Sequence, residues 1–105
     1  MKSLTTIRMD FSNAKKQAAE LEEIAANMKI LANGDLTDSL DTLSSAWKGD
    51  SATAYCGKGE SLRAKILASA RNLESIAATI RSVAKRTYDA ELKAYQLAMA
   101  RTYNS

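Results

Sequence analysis

Apolar residues recur at steps of three and four along two long stretches of this chain, which is the spacing of one face of an α-helix. The first stretch predicts a helix over about residues 10–46, starting at Asp10 or Ser12, with residues 1–9 extended or frayed. Asn33-Gly34-Asp35 predicts a bend or break at 33–35, because glycine costs about 1 kcal/mol relative to alanine inside a helix. Beyond it the apolar face resumes almost in phase. Its positions are Phe11, Ala14, Ala18, Leu21, Ala25, Met28, Ala32, Leu36, Leu40, Leu43 and Trp47.

The second stretch predicts a longer helix over about residues 51–101, since neither glycine nor proline follows Gly59. Gly57 and Gly59, near its start, either let another helix approach closely or simply soften the helix. Two apolar stripes run along it, and the first keeps a heptad spacing that is typical of helices packed at shallow angles. The first stripe contains Tyr55, Gly59, Leu62, Ile66, Ser69, Leu73, Ile76, Ile80, Val83, Thr87, Ala90, Ala94 and Leu97, and the second contains Leu67, Ala70, Ala77, Ala84, Tyr88, Tyr95 and Ala98.

Between the two stretches, Ala46-Trp47-Lys48-Gly49-Asp50 predicts a tight turn over residues 47–50. Asp50 or Ser51 is then expected to cap the second helix. The fold prediction is therefore all-α: a single helical-hairpin domain over residues 1–105, in which two long antiparallel helices are joined at this turn. Trp47, the only tryptophan, either packs against both helices or points outward as an anchor.

A two-helix hairpin can bury only one face of each helix, so one of the two stripes is left over. We therefore expect a partner to cover that stripe and complete a four-helix bundle. The alternative is that the second stripe, being rich in alanine, tolerates exposure to water. The residues predicted to bind the partner are Leu62, Ile66, Leu73, Ile76, Ile80, Val83 and Tyr88.

The composition offers little for chemistry. The chain has no histidine and a single cysteine, Cys56, which excludes an internal disulfide, His-assisted nucleophilic catalysis and histidine or thiolate metal sites. Glu20, Glu22 and Glu23 are interpreted as a solvated helix face. We therefore predict no enzyme activity, no catalytic residue, no metal and no cofactor.

The net charge of +3 is uneven, because residues 1–49 carry six Lys/Arg and seven Asp/Glu whereas residues 50–105 carry nine and five. A nucleic-acid binder would need a continuous basic face with stacking aromatics, and Asp89 and Glu91 interrupt this one, so nucleic acid is not expected as a partner. No run approaches the roughly 18 apolar residues of a membrane span, and no signal peptide is apparent. The expected location is the cytoplasm before any export that uses no cleaved signal.

Trp47-Lys48-Gly49, set between two heptad-patterned helices in a chain of 105 residues, resembles the Trp-Xaa-Gly (WXG) family of type VII secretion proteins. This resemblance covers nearly the whole chain. It implies a four-helix dimer, with itself or a paralogue, that a secretion ATPase recognises, with Trp47, Lys48 and Gly49 as the secretion or docking motif. The chain departs from the family in lacking Tyr-x-x-x-Asp/Glu after the second helix, since Leu92 and Met99 stand four residues after Tyr88 and Tyr95.

That departure, the opening Met9-Asp10 and the long arms resemble the small helical partners of LXG-type toxins in Gram-positive bacteria. The resulting hypothesis is a non-enzymatic targeting factor that binds the helical N-terminal domain of such a toxin, or a sister small protein, for type VII secretion. The alternative within the family is a homodimeric secreted substrate. A small basic helical nucleic-acid binder is a more distant alternative.

Overall fold

The computed structural model describes residues 2–104, so Met1 and Ser105 of the predicted domain lie outside the described residues. The chain forms α1 (Leu4–Leu31), a π-helical segment (Ala32–Leu36), α2 (Thr37–Ala46) and α3 (Asp50–Asn104), and no strand occurs within residues 2–104. The predicted all-α antiparallel hairpin is thereby confirmed. Contacts divide the chain into two compact units: Met1–Glu20 with Ile76–Ser105, here the terminal unit, and Leu21–Ser75, here the turn unit. That the chain is one domain stays a prediction.

The start of α1 differs from the sequence-based expectation. The helix begins at Leu4 rather than at Asp10 or Ser12, and residues 4–9 are helical rather than extended or frayed. Ser3 supplies the cap, because its Oγ accepts a hydrogen bond from the backbone N–H of Thr6 at 3.1 Å, and its carbonyl accepts the N–H of Ile7 at 3.0 Å. Ile7 is 1% exposed, so burial of this side chain also holds the first two turns in place.

In the terminal unit, the first turns of α1 pack against the C-terminal half of α3. The rings of Phe11 and Tyr88 stack with their centroids 4.6 Å apart and 23° between their planes. The ammonium of Lys2 links α1 to α3, because it lies 2.9 Å from Asp10 Oδ2 and 3.0 Å from Glu91 Oε1. Aromatic stacking and charge pairing thus fix the register of the two helices in this unit.

In the turn unit, Leu40 of α2 packs directly on Gly59 of α3. A Cβ atom at Gly59 would collide with the Cδ2 methyl of Leu40, whereas one at Gly57 would meet nothing within 4 Å. Of the two roles considered for these glycines, close approach therefore applies to Gly59 and not to Gly57. An ion pair between Lys29 of α1 and Glu74 of α3, at 2.9 Å, joins these two helices at the surface of the same unit.

The fully buried residues of α3, Ala70 and Ala77, belong to its alanine-rich stripe, and Ala18 and Ala25 are fully buried on the apolar face of α1. Each buried alanine lies at a heptad position of its helix, where a small side chain lets two backbones approach closely. The alternative that the alanine-rich stripe is the exposed one is therefore wrong: alanines face inward, and several larger apolar side chains face outward. The alanines with 0% exposure are Ala18, Ala25, Ala32, Ala70 and Ala77.

The break expected at 33–35 takes the form of the π-helical segment, through which the helical path continues. At the other end, α3 runs without interruption from Asp50 to Asn104. Its long length does not make it a membrane span, since no helix in the described part of the chain is both apolar enough and long enough to cross a bilayer.

Candidate functional site

The turn between α2 and α3 is built from Trp47, Lys48 and Gly49. The backbone leaves the helix at Trp47, which is extended (φ −122°, ψ 123°) while its N–H still donates to the carbonyl of Leu43 at 2.9 Å. Gly49 then takes φ +114°, a region that side-chain-bearing L residues rarely adopt. Nothing lies within 4 Å of where a Cβ of Gly49 would be, so steric crowding does not require a glycine here. The backbone angle does.

The cap of α3 differs from the one predicted. Asp50 is already the first residue of the helix, and the cap position falls on Gly49, whose carbonyl accepts both the N–H of Thr53 at 3.0 Å and its hydroxyl at 3.1 Å. The carboxylate of Asp50 sits in the first turn, where the helix dipole favours negative charge. The positive φ of Gly49 therefore both reverses the chain and starts the new helix.

The indole of Trp47 is neither buried between the helices nor free of the protein. It is 41% exposed, and its ring lies 5.8 Å from the ring of Tyr55 at an interplanar angle of 55°. Tyr55 is itself 57% exposed. Two aromatic side chains in contact, each presenting much of its surface to water, form an amphipathic patch of the kind enriched at protein interfaces.

A shallow pocket of about 270 Å³ adjoins this aromatic patch. Its positive wall is Lys48, whose Nζ donates to the carbonyl of Ser44 at 2.9 Å and so covers an otherwise open carbonyl at the end of α2. The half-buried free thiol of Cys56 forms part of its floor. The lining residues are Ser44, Trp47, Lys48, Gly49, Ala52, Thr53 and Cys56.

The residues predicted to bind a partner occupy two kinds of position on α3. Leu62, Ile76 and Val83 are between 45% and 51% exposed. Ile66, Leu73, Ile80 and Tyr88 are half-buried. The ring of Tyr88 is stacked on the ring of Phe11. Apart from Met99, the exposed large apolar residues of α3 recur every seven residues or at a multiple of seven: Tyr55, Leu62, Ile76, Val83 and Leu97.

The terminal unit carries an apolar groove of about 360 Å³ on the side of Val83. Carboxylates of Asp10 and Glu91 stand at its rim, and Lys2 pairs with both. The hydrogen bonds that Lys2 donates to these carboxylates, chiefly the one to Asp10, raise the pKa of Lys2 above its ordinary value of 10.5. The lining residues are Ile7, Asp10, Phe11, Ala14, Thr79, Ile80, Val83, Ala84, Thr87, Tyr88 and Glu91.

The charged residues that line the turn pocket and the groove are Lys48, Asp10 and Glu91. Across residues 2–104, no group of three or more His, Cys, Asp or Glu is placed to hold a metal ion. The basic residues of α3 are also partly engaged within the chain. Lys85 pairs with Asp89 at 2.9 Å, and Arg63 donates to Thr37 and Asn33. Both places present apolar or aromatic surface.

Two features of these surfaces went unseen in the sequence. Tyr55 was recognised only as a member of the α3 stripe, although its contact with Trp47 extends the exposed aromatic surface at the turn. Arg63 was counted only in the positive charge of residues 50–105, although its guanidinium is bound across the hairpin. The eight-residue spacing from Trp47 to Tyr55 around a turn was a usable signal, whereas nothing in the sequence pairs Arg63 with residues thirty positions away.

Comparison with known proteins gives one match. A search of curated proteins found no match, and a search of solved structures found none either. The model of the WXG100 family, described as proteins of 100 residues with WXG, matches residues 6–92. The match spans nearly all of α1, the Trp47-Lys48-Gly49 turn and most of α3, so the chain belongs to the WXG100 family.

Proposed function

We propose that this chain is a non-enzymatic targeting factor of type VII secretion that binds the helical N-terminal domain of an LXG-type toxin, or a sister small protein. Family membership supports the coarser part of this function, since WXG100 proteins are small type VII secretion proteins that pair with helical partners and are not enzymes. The toxin, the adaptor role and the secretion ATPase do not follow from family membership and are proposed here.

The observation that carries the proposal is which apolar residues of α3 face outward. The hairpin buries alanines such as Ala70 and Ala77 completely, while Leu62, Ile76 and Val83 remain about half exposed. Large side chains placed outward at heptad spacing are costly for a lone chain and favourable in a helix–helix seam. The proposed partner surface therefore consists of these three residues with the half-buried Ile66, Leu73, Ile80 and Tyr88.

The turn has a separate role in the proposal. Trp47, with Tyr55 beside it, is the anchor that docks the complex on the secretion ATPase, and Lys48 and Gly49 complete the motif. Tryptophan is enriched among residues that dominate binding energy at interfaces. Its partial exposure and its contact with a second exposed aromatic are what a docking anchor needs.

The experiment is co-expression of the chain with the helical N-terminal domain of an LXG-type toxin encoded beside it. We expect a stable complex of defined stoichiometry by size exclusion with light scattering, and loss of toxin export when the chain is deleted. An Ile76→Asp chain that still folds is the matched control and should not form the complex. Normal toxin export without the chain would refute the adaptor role.

A homodimeric secreted substrate is the second candidate, and the regular spacing of exposed residues on α3 suits a second copy equally well. It predicts a tight dimer of the purified chain and its appearance in the culture medium. In the adaptor role, the chain alone is loosely associated and becomes monodisperse only with the toxin domain.

A further inference from the structure

The buried and half-buried apolar positions of the first helical stretch slip by one residue at the π-helical segment. From Leu4 to Ala32 they alternate steps of three and four, which would next bring Asp35 inward. Asp35 is instead exposed, and the inward positions continue at Leu36, Leu40 and Leu43. One residue corresponds to about 100° of rotation in an α-helix, so an undistorted helix would turn these leucines away from α3.

The π-helical segment Ala32–Leu36 stands at the slip. A π-helical turn has hydrogen bonds from residue i to i+5 and therefore takes up one residue more than an α-helical turn. The side chain of Thr37 follows the same five-residue spacing, because its Oγ1 donates to the carbonyl of Ala32 at 2.7 Å. This bond occupies a carbonyl at the place where the α-helical pattern changes.

Arg63 of α3 fastens the segment from across the hairpin. Its Nε donates to Thr37 Oγ1 at 2.9 Å, and its Nη2 donates to Asn33 Oδ1 at 2.9 Å. The Thr37 hydroxyl thus donates to Ala32 while it accepts from Arg63. A half-buried guanidinium held by two oxygens on either side of the wide turn fixes the geometry of that turn.

We propose that the π-helical segment accommodates a single extra residue and that Arg63 is the positioning residue that holds it. The π-helical segment returns Leu36, Leu40 and Leu43 to the face that packs on α3. It thereby sets the rotation of α2 and the direction in which Trp47 points at the turn. This inference goes beyond the proposed function and can be tested without any secretion partner.

The test removes the extra residue. Deleting Asp35, which is exposed and is not a partner of Arg63, restores unbroken steps of three and four from Ala25 to Trp47. We expect the purified chain to stay fully helical, with a thermal midpoint within about 5 °C of the parent or above it. Deleting Ala19, an exposed residue of regular α1, is the control and should lower the midpoint by more than about 10 °C.

Arg63→Met, introduced into the parent chain and into the Asp35 deletion, then tests whether Arg63 holds the π-helical segment. We expect faster amide hydrogen exchange over residues 33–38 and a lower midpoint in the parent chain. In the Asp35 deletion, the midpoint shift should be less than about half as large, because no π-helical turn remains to hold. If the Asp35 deletion loses as much stability as the Ala19 deletion, or if Arg63→Met costs the same in both backgrounds, the inference is wrong.

Discussion

Leu40 lies where a side chain at Gly59 would be, so the close contact between α2 and α3 depends on a glycine inside a long helix. Gly57, two residues earlier in the same helix, has open space around it. The two glycines therefore share a helix and a backbone conformation but differ in what a methyl group would meet.

We predict opposite effects of alanine at these two positions. Gly57→Ala should stabilise the hairpin by up to about 1 kcal/mol, since alanine is the better helix former. Gly59→Ala gains the same propensity but overpacks against Leu40, so its stability should lie about 1–3 kcal/mol below that of Gly57→Ala. Urea unfolding of both variants measures the difference. Equal stabilities would mean that Leu40 moves aside freely.

Gly49→Ala tests the backbone of the turn. At φ +114° an alanine is strained although space is available, so we expect a loss of about 1–2 kcal/mol of unfolding free energy. Gly57→Ala, which introduces the same methyl group into regular helix, is the matched control. No loss at Gly49 would show that the turn readily adopts another conformation.

Trp47→Ala separates docking from packing. Because the indole is partly exposed and its described ring contact is with Tyr55, we expect a stability loss of about 1–2 kcal/mol rather than the 3–5 kcal/mol typical of buried tryptophan. Partner binding should persist, while export of the toxin should stop.

The control for Trp47→Ala is Leu43→Ala, which removes a half-buried side chain of α2 and leaves the motif intact. This variant should lose at least as much stability and still support export. If both variants export normally, the docking role of Trp47 fails. If Trp47→Ala dissociates the partner complex, the indole belongs to the packing of the bundle.

Neighbouring residues on α3 distinguish the partner surface from the internal seam. Ile76→Asp places a charge on an exposed position, so the hairpin should keep its helicity but lose its partner, at a cost of several kcal/mol to the complex. Ala77→Asp buries the charge at a position with 0% exposure and should unfold the hairpin itself. Circular dichroism and partner titration measure both. Unchanged binding by helical Ile76→Asp would remove this residue from the interface.

Lys2 gives the hairpin a dependence on alkaline pH. Its pKa is raised in the folded chain by Asp10 and Glu91, so its stabilising contribution is complete below 10.5 and disappears as pH rises through the raised value. The thermal midpoints of the parent and of Lys2→Met should therefore differ near neutral pH and converge at higher pH. A gap that persists after Lys2 has lost its proton would assign the effect to packing of the side chain.

The helical hairpin and its turn could be predicted because heptad spacing and the Trp47-Lys48-Gly49 sequence are local signals. The start of α1 could not, since the short polar and β-branched run that includes Thr5 and Thr6 masks the Ser3 cap and the buried Ile7. Which α3 stripe faces inward was also undetermined, because periodicity reports a face and not its neighbour. The close contact of Leu40 with Gly59 and the burial of alanines such as Ala70 decide it only in three dimensions.

In the candidate site, too, local sequence signals could be predicted and contacts between distant residues could not. Trp47 and Gly49 were evident as a motif, and the φ of Gly49 gives the physical reason for the glycine. The one-residue slip after Ala32 was visible only as an apolar face that resumed almost in phase. Its resolution as a π-helical segment held by Arg63 depends on a contact between distant parts of the chain.

We propose that the exposed face of α3 belongs in a helix–helix seam with another chain. Sedimentation equilibrium of the purified protein over a range of concentrations tests it most directly. We expect that the 11.4 kDa chain is not a stable monomer: it forms a dimer, or it associates loosely and becomes monodisperse on adding the toxin's helical domain. A monodisperse, fully helical monomer whose thermal midpoint does not change with concentration would contradict it.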